Sequence, residues 1–180
     1  AWYKANVHGG VDAEVFERLM PADYSDEQLA EVARQKDALF CAKAREFGVP
    51  HIAGICEALQ MAKERGMRCI AVTNAPRPAA ELVLEQLRRD CEAGDVIEGV
   101  VIGAECPRAK PHPDPYLIAM ERLGVPAHDC VVFEDSRSGV RAGVAANVAA
   151  VVGVRSELGD EDLRGAGAQV TVGDWTEVTP

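Results

Sequence analysis

Two adjacent carboxylates, Glu134 and Asp135, follow directly after the apolar residues 131–133. A short apolar run that leads into a Ser- and Gly-rich segment is typical of a buried strand before a helix, so the acids are predicted at a sheet edge. Neighbouring carboxylates repel each other, and a site that keeps both ionised usually holds a cation. Mg²⁺ fits best, because it prefers oxygen ligands and often shares them with a phosphate. The alternative is a solvated turn in which the acids cap the next helix.

A second polar group, Thr73 and Asn74, ends an earlier apolar run in the string AVTNAP at residues 71–76. A hydroxyl and the unpaired backbone amides at the start of a helix favour a bound anion, because the helix dipole adds to the amide donors. The same string is also a common start of a helix that binds no ligand, and the residues alone leave both interpretations open.

The third candidate is Lys110, in the loop RAKPHPDP at residues 108–115. Three prolines at alternate positions fix the backbone φ angles and stiffen this loop. A lysine held in this way can reach a phosphate or neutralise a carboxylate, whereas a lysine needed only for solubility requires no rigid support. His112 and His51 are interpreted as structural or exposed, because neither has a partner that the sequence reveals.

The elements that must position these residues alternate along the chain from residue 52 onward. Helices are predicted at about 54–65, 78–89 and 115–123 and around Val140 and Val144, and strands at 68–73, 100–102, 130–133, 149–152 and 169–172. Strict alternation predicts an α/β fold, a doubly wound parallel sheet with helices on both faces. The carboxyl ends of parallel strands share one edge, so the three polar groups should meet there.

The first 50 residues differ from the rest and are predicted to be helical. A helix stops at Pro21, and Ser25 with Gln28 forms a capping-box signature for a long second helix that ends at Gly48 and Pro50. We therefore expect a small helical subdomain over residues 1–50 and an α/β core over residues 51–180.

The composition of the chain excludes several classes of protein. A formal charge of −10 and a pI near 4.9 over 180 residues argue against nucleic acid or an anionic membrane as the main partner. No apolar run approaches membrane-spanning length. The six cysteines show no C-x-x-C pair, which favours reduced, buried thiols over disulfides or zinc. We expect an intracellular, cytoplasmic monomer, although the chain opens on Ala1 and a targeting segment could lie upstream.

Taken in order, Thr73-Asn74, Lys110-Pro111 and Glu134-Asp135 resemble the motifs of the haloacid-dehalogenase-like (HAD-like) hydrolase superfamily. The resemblance covers nearly all of residues 1–155 and is closest to the branch of β-phosphoglucomutases and sugar-phosphate phosphatases. It implies a Rossmannoid core with a small helical cap, here residues 1–50.

The resemblance also implies phosphoryl transfer through an aspartyl phosphate, with Mg²⁺ as cofactor. In that mapping Glu134 and Asp135 hold the metal, and Thr73 and Asn74 bind the phosphoryl oxygens. Lys110 binds phosphate as well and balances charge between the nucleophile and the phosphate. Lys110 and Thr73 are therefore assigned as catalytic residues. Such roles agree with the fixed donors and cations that phosphoryl transfer requires.

One departure from the family is important. Its first motif, an Asp-x-Asp-Gly-Thr string at the end of the first strand, is absent from these 180 residues. Asp12 and Asp23 cannot replace it, because neither follows an apolar strand. We therefore expect the core to lack its first strand, the cap to be incomplete at its N-terminus, and the chain alone to be inactive.

Substrate choice in this branch lies in the cap, where His8, Gly9 and Gly10 occupy the loop that faces the active site in relatives. A plain glycine turn is the alternative. The expected function is a Mg²⁺-dependent phosphatase of small sugar or polyol phosphates. The alternatives are a β-phosphoglucomutase-type mutase and a catalytically dead phosphate-binding module. A dehalogenase is disfavoured because that branch does not need the metal pair, and a phospho-acceptor domain because its acids would precede the Thr and the Lys.

Overall fold

The computed structural model describes residues 12–21 and 23–178, in which helices and strands alternate after residue 54. The α-helices are α1 (Asp12–Leu19), α2 (Asp26–Phe47), α3 (Ile55–Glu64), α4 (Arg77–Asp90), α5 (Asp114–Leu123), α6 (Arg137–Ala145) and α7 (Asp160–Ala166). The strands are β1 (Cys69–Thr73), β2 (Ile97–Ile102), β3 (Val131–Glu134), β4 (Ala150–Val154) and β5 (Val170–Val172). Short 3₁₀ turns occur at Gly94–Val96, Gly103–Glu105, Ala127–Asp129 and Trp175–Glu177. None of the helices in these ranges is long and apolar enough to cross a bilayer.

The strands form two separate parallel sheets rather than one. β1 pairs with β2, with Thr73 opposite Ile102, and β3–β4–β5 form the second sheet, with Glu134 opposite Gly153. Within the described residues β1 and β3 are not paired with each other, although their carboxyl ends face the same cavity. The predicted parallel arrangement is confirmed, and the interruption between the two sheets is a feature that strand periodicity does not predict.

Each sheet has its own apolar core. α3 and α4 cover the β1–β2 sheet through buried residues that include Leu59, Leu84 and Ile97. α6 and α7 cover the β3–β4–β5 sheet, where Val140, Val151 and Leu163 are all fully buried. α5 packs against β1, β2 and α6, so it joins the two halves.

Local sequence signals account for most helix boundaries. The Ser25 hydroxyl accepts from the Gln28 amide at 3.3 Å while the Gln28 side chain accepts from the Ser25 amide at 2.8 Å, which confirms the predicted capping box of α2. α7 was not predicted, because Leu163 is its only buried residue and its first turn is acidic. β2 begins earlier than predicted, since Glu98 and Gly99 interrupt the apolar pattern that marks its end.

Residues 49–51, which connect the helical segment to the α/β part, make hydrogen bonds to α4. The Gln86 side chain accepts from the Val49 amide at 2.8 Å and donates to the Val49 carbonyl at 2.9 Å. Beside it, His51 Nε2 lies 2.9 Å from Asp90 Oδ2, a contact that lowers the Asp90 pKa. α4 therefore fixes residues 49–51 by backbone and side-chain contacts together.

Replacing Gln86 by Ala removes both hydrogen bonds to Val49, and we expect the free energy of unfolding to fall by about 1–2 kcal/mol. Its neighbour on α4, Glu85, is exposed, so Glu85→Ala should change stability by less than about 0.5 kcal/mol. Urea unfolding of both variants measures the difference. Equal effects would show that the Gln86 contacts do not hold residues 49–51.

The expectation that all six cysteines are reduced is wrong for one pair. Cys56 near the start of α3 and Cys91 at the end of α4 form a disulfide, with Cα atoms 5.1 Å apart. The other four cysteines are free. Spacing in the sequence could not reveal this pair, because 35 positions separate its members and only the packing of α3 against the end of α4 brings them together.

Thiol titration of the denatured, unreduced chain should therefore find four reactive thiols. Reduction should lower the free energy of unfolding by roughly 2–4 kcal/mol, as for other loops of this length. A Cys56→Ser variant provides the control, since its stability should not respond to reductant. Six thiols in the unreduced wild-type chain would contradict the pairing.

Candidate active site

A cavity of about 740 Å³ lies where β1 and β3 end. Five of the predicted site residues line it: Thr73, Asn74, Lys110, Glu134 and Asp135. These residues come from three separate parts of the chain, so the fold itself brings them together. The predicted substrate loop, His8, Gly9 and Gly10, lies outside the described residues.

Lys110 and Glu134 form an ion pair whose side chains are each only 6% exposed. The Lys110 ammonium also donates to the Val72 carbonyl of β1 at 3.1 Å. Because Glu134 ends β3, this one side chain connects the two sheets. Burying two charges is costly unless they pair and their remaining hydrogen-bonding groups are satisfied, so the arrangement depends on further donors.

Those donors come from residues that sequence reasoning missed. Tyr116, in the first turn of α5, donates from its hydroxyl to Glu134 Oε1 at 2.5 Å, and Ser136 donates to Oε2 at 3.2 Å. Ser136 also caps α6 by accepting from the Gly139 amide at 3.0 Å. In sequence, Tyr116 is indistinguishable from a core aromatic residue. Ser136 could have been identified from the sequence, since it directly follows the two acids.

Glu134, Lys110 and Ser136 are the buried charged or polar residues of the described chain, and all three belong to this cluster. Buried charge is expensive in an otherwise apolar domain, and perturbed ionisable groups concentrate at functional sites. The pKa of Tyr116 is raised well above 10 by burial first and by the charge of Glu134 second. The phenol therefore remains protonated and acts as a donor.

Asp135 has a different environment from its neighbour. It is only partly buried, lines the cavity, and accepts from the Ser156 hydroxyl at 2.9 Å. Ser156 follows β4 and so belongs to the same sheet edge, a position that the strand pattern could have indicated. The two adjacent acids are therefore not equivalent: Glu134 turns into the protein, and Asp135 lies at the cavity wall.

Thr73 and Asn74 form the opposite side of this edge. The Thr73 hydroxyl accepts from the Ala75 amide at 3.0 Å, and the Asn74 side chain donates to the Lys110 carbonyl at 3.2 Å. Asn74 thus ties the end of β1 to the loop that carries Lys110. Gly103 makes room for it, because a Cβ there would lie 2.2 Å from Asn74 Oδ1.

The rest of the cavity wall is largely apolar. Phe133 and Trp175 are in ring contact at 4.8 Å between centroids, and Phe16 and Phe40 line the side formed by α1 and α2. Neither His51 nor His112 lines the cavity. The polar groups are therefore concentrated where the strands end, and the helical segment contributes mostly hydrophobic contacts.

Gly139 is the residue against which Glu134 packs. An added Cβ would lie 2.0 Å from the Glu134 carboxyl carbon, so Gly139→Ala should displace the carboxylate and lower the free energy of unfolding by about 1–3 kcal/mol. Gly165, also helical but with open space around its Cβ position, is the matched control. Gly165→Ala should stabilise the chain by about 0.5–1 kcal/mol. Thermal and urea unfolding measure both changes, and a stabilised Gly139→Ala variant would refute this packing.

The sequence is similar to that of several known proteins. Over residues 6–147 the sequence matches the family described as haloacid dehalogenase-like hydrolase. A phosphorylated carbohydrates phosphatase of Thermotoga maritima is 37% identical over 120 residues, which are 66% of this chain and 54% of that protein. Hexitol phosphatase B of Escherichia coli is 31% identical over 130 residues, 72% of this chain and 56% of that protein.

A crystal structure of CbbY from Rhodobacter sphaeroides in complex with phosphate superposes with a TM-score of 0.78 at 25% identity, covering 97% of this chain and 78% of that one. This likeness confirms the predicted α/β fold. The chain spans about half the length of the curated relatives it matches. By its sequence match over most of its length and by its fold, the chain belongs to the haloacid dehalogenase-like hydrolase family.

Proposed function

We propose that this chain belongs to a Mg²⁺-dependent phosphatase that acts on small phosphorylated sugars or polyols. The observation that carries the proposal is the convergence of Thr73, Lys110 and Asp135 on one cavity. A hydroxyl, an ammonium group and a carboxylate at one sheet edge can together hold a metal-bound phosphoryl group. The names of the two enzyme relatives, a phosphorylated carbohydrates phosphatase and a hexitol phosphatase, support the same substrate class.

The donors present fit Mg²⁺ as part of a shared shell. Mg²⁺ is usually held by one or two carboxylates, with waters and substrate phosphate completing the octahedron. Asp135 at the cavity wall supplies one carboxylate, and Glu134 lies beside it. When bound, the metal would neutralise negative charge on the phosphoryl oxygens.

The chain's own residues would divide the remaining work. The Thr73 hydroxyl and the backbone at Asn74 would bind phosphoryl oxygens at the start of α4. At the start of α4, Pro76 and Pro78 carry no amide hydrogen, and the Ala75 amide already donates to the Thr73 hydroxyl. Few backbone amides are therefore available to the anion at this position. Lys110, held between β1 and β3, would place its positive charge against the phosphate without needing to move.

The nucleophile is not among these residues. The family resemblance implies an Asp-x-Asp-Gly-Thr strand, and we propose that its place is between β1 and β3. Those strands belong to separate sheets, and Val72, Phe133 and Val154 line the cavity between them. An apolar strand inserted there would pair with both edges and bring its terminal carboxylates beside Asp135. The helical segment of residues 1–50 would then act as the cap.

Two polypeptides test this proposal: the 180-residue chain, and a chimera in which an apolar strand that ends in the family's Asp-x-Asp-Gly-Thr motif precedes Ala1. The chain alone should release no phosphate from hexose or hexitol phosphates. The chimera should hydrolyse them and lose activity with EDTA. Turnover by the chain alone, or an inactive but folded chimera, would contradict the proposal. Isomerisation without phosphate release would indicate a mutase instead.

In the active chimera, Asp135→Asn should lower the Mg²⁺-dependent rate by about 10²-fold or more, because it removes a carboxylate ligand. Asp129→Asn, an exposed acid just before β3, is the matched control and should leave the rate unchanged. Steady-state phosphate release at several Mg²⁺ concentrations separates a weakened metal site from a misfolded enzyme. Equal rates for the two variants would remove Asp135 from the site.

A further inference from the structure

Tyr116 has no part in the proposed function, yet it contacts the buried ion pair between Lys110 and Glu134. The residue lies in the first turn of α5, is 7% exposed, and directs its hydroxyl to Glu134 Oε1. The same oxygen accepts from the Lys110 ammonium, which also lies 5.8 Å from the centre of the Tyr116 ring. One phenol therefore contacts both members of the ion pair.

Both oxygens of the Glu134 carboxylate accept hydrogen bonds from buried side chains. Oε1 accepts from Lys110 and Tyr116, Oε2 accepts from Ser136, and Gly139 packs against the carboxyl carbon. A carboxylate with one fixed donor can still rotate, whereas donors on both oxygens allow a single orientation. The hydroxyl of Tyr116 is thus one of the contacts that determine where Oε1 lies.

The position of Oε1 in turn determines where the Lys110 ammonium lies. That ammonium is held between Oε1 on β3 and the Val72 carbonyl on β1. We propose that Tyr116 is a positioning residue: its hydroxyl fixes the Glu134 carboxylate so that Lys110 is presented to the cavity at one defined place. The inference rests on the proposed function only in that Lys110 faces a phosphate.

A purely structural role for Tyr116 is the competing explanation, because its ring belongs to the apolar core of the β3–β4–β5 sheet. Tyr116→Phe separates the two, since it keeps the ring and removes only the hydroxyl. Tyr24→Phe is the matched control, because Tyr24 is 38% exposed and outside the cavity. Urea unfolding of each variant records any loss of stability separately.

The first measurement is hydrogen exchange of the Lys110 ammonium group by heteronuclear NMR. Its signal is assigned by comparison with Lys110→Arg, in which that signal is absent. In Tyr116→Phe we expect faster exchange and a weaker affinity for inorganic phosphate with Mg²⁺, each by roughly fivefold to tenfold, the scale of one hydrogen bond to a charged group. Tyr24→Phe should match the wild type in both. Exchange unchanged in Tyr116→Phe would overturn the positioning role.

The two measurements keep this inference distinct from the proposed function. If the wild-type chain binds no phosphate, ammonium exchange alone decides the role of Tyr116, and the chimera tests the proposed function separately. If Tyr116→Phe does not fold, the exchange of the Tyr116 hydroxyl proton in the wild-type chain is measured instead. A slowly exchanging signal with a nuclear Overhauser contact to the Lys110 side chain supports the inference, and a rapidly exchanging one rejects it.

Discussion

The buried ion pair between Lys110 and Glu134 is the interaction on which the rest of the site depends. It connects the ends of two strands that belong to separate sheets, because Lys110 binds the Val72 carbonyl of β1 as well as the carboxylate that ends β3. Removing one partner of such a pair typically costs about 3–5 kcal/mol, since the other charge is left buried alone. The cluster therefore acts both as the support of the cavity and as part of its wall.

This arrangement gives two neighbouring acids different roles. Glu134 is compensated by Lys110, Tyr116 and Ser136 inside the protein, so its charge is largely neutralised within the cluster. Asp135 remains at the cavity wall with Ser156 beside it. Separate environments are the usual way in which adjacent carboxylates serve different purposes. Asp135 is therefore the acid that we propose as the metal ligand, and Glu134 is the acid that contacts the lysine.

The sequence predicted the site from the places where apolar runs end. Thr73, Asp135 and the rigid loop around Lys110 could be found because strand periodicity and proline spacing are local signals, and parallel strands share one carboxyl edge. Tyr116 could not be found in this way, because a helical aromatic residue looks the same whether it packs in a core or binds a carboxylate. The Cys56–Cys91 disulfide depends on the packing of α3 against the end of α4. The separation of the sheets depends on which strands pair, which spacing does not encode.

We propose above all that one cavity at the ends of β1 and β3 holds a metal-bound phosphoryl group. Mapping amide chemical-shift changes while phosphate is added to the chain in the presence of Mg²⁺ tests it most directly. We expect one contiguous set of changes at Thr73 to Ala75, Lys110 and Asp135, which disappears when Mg²⁺ is removed. Changes scattered over other surfaces, or none at saturating phosphate, would contradict it.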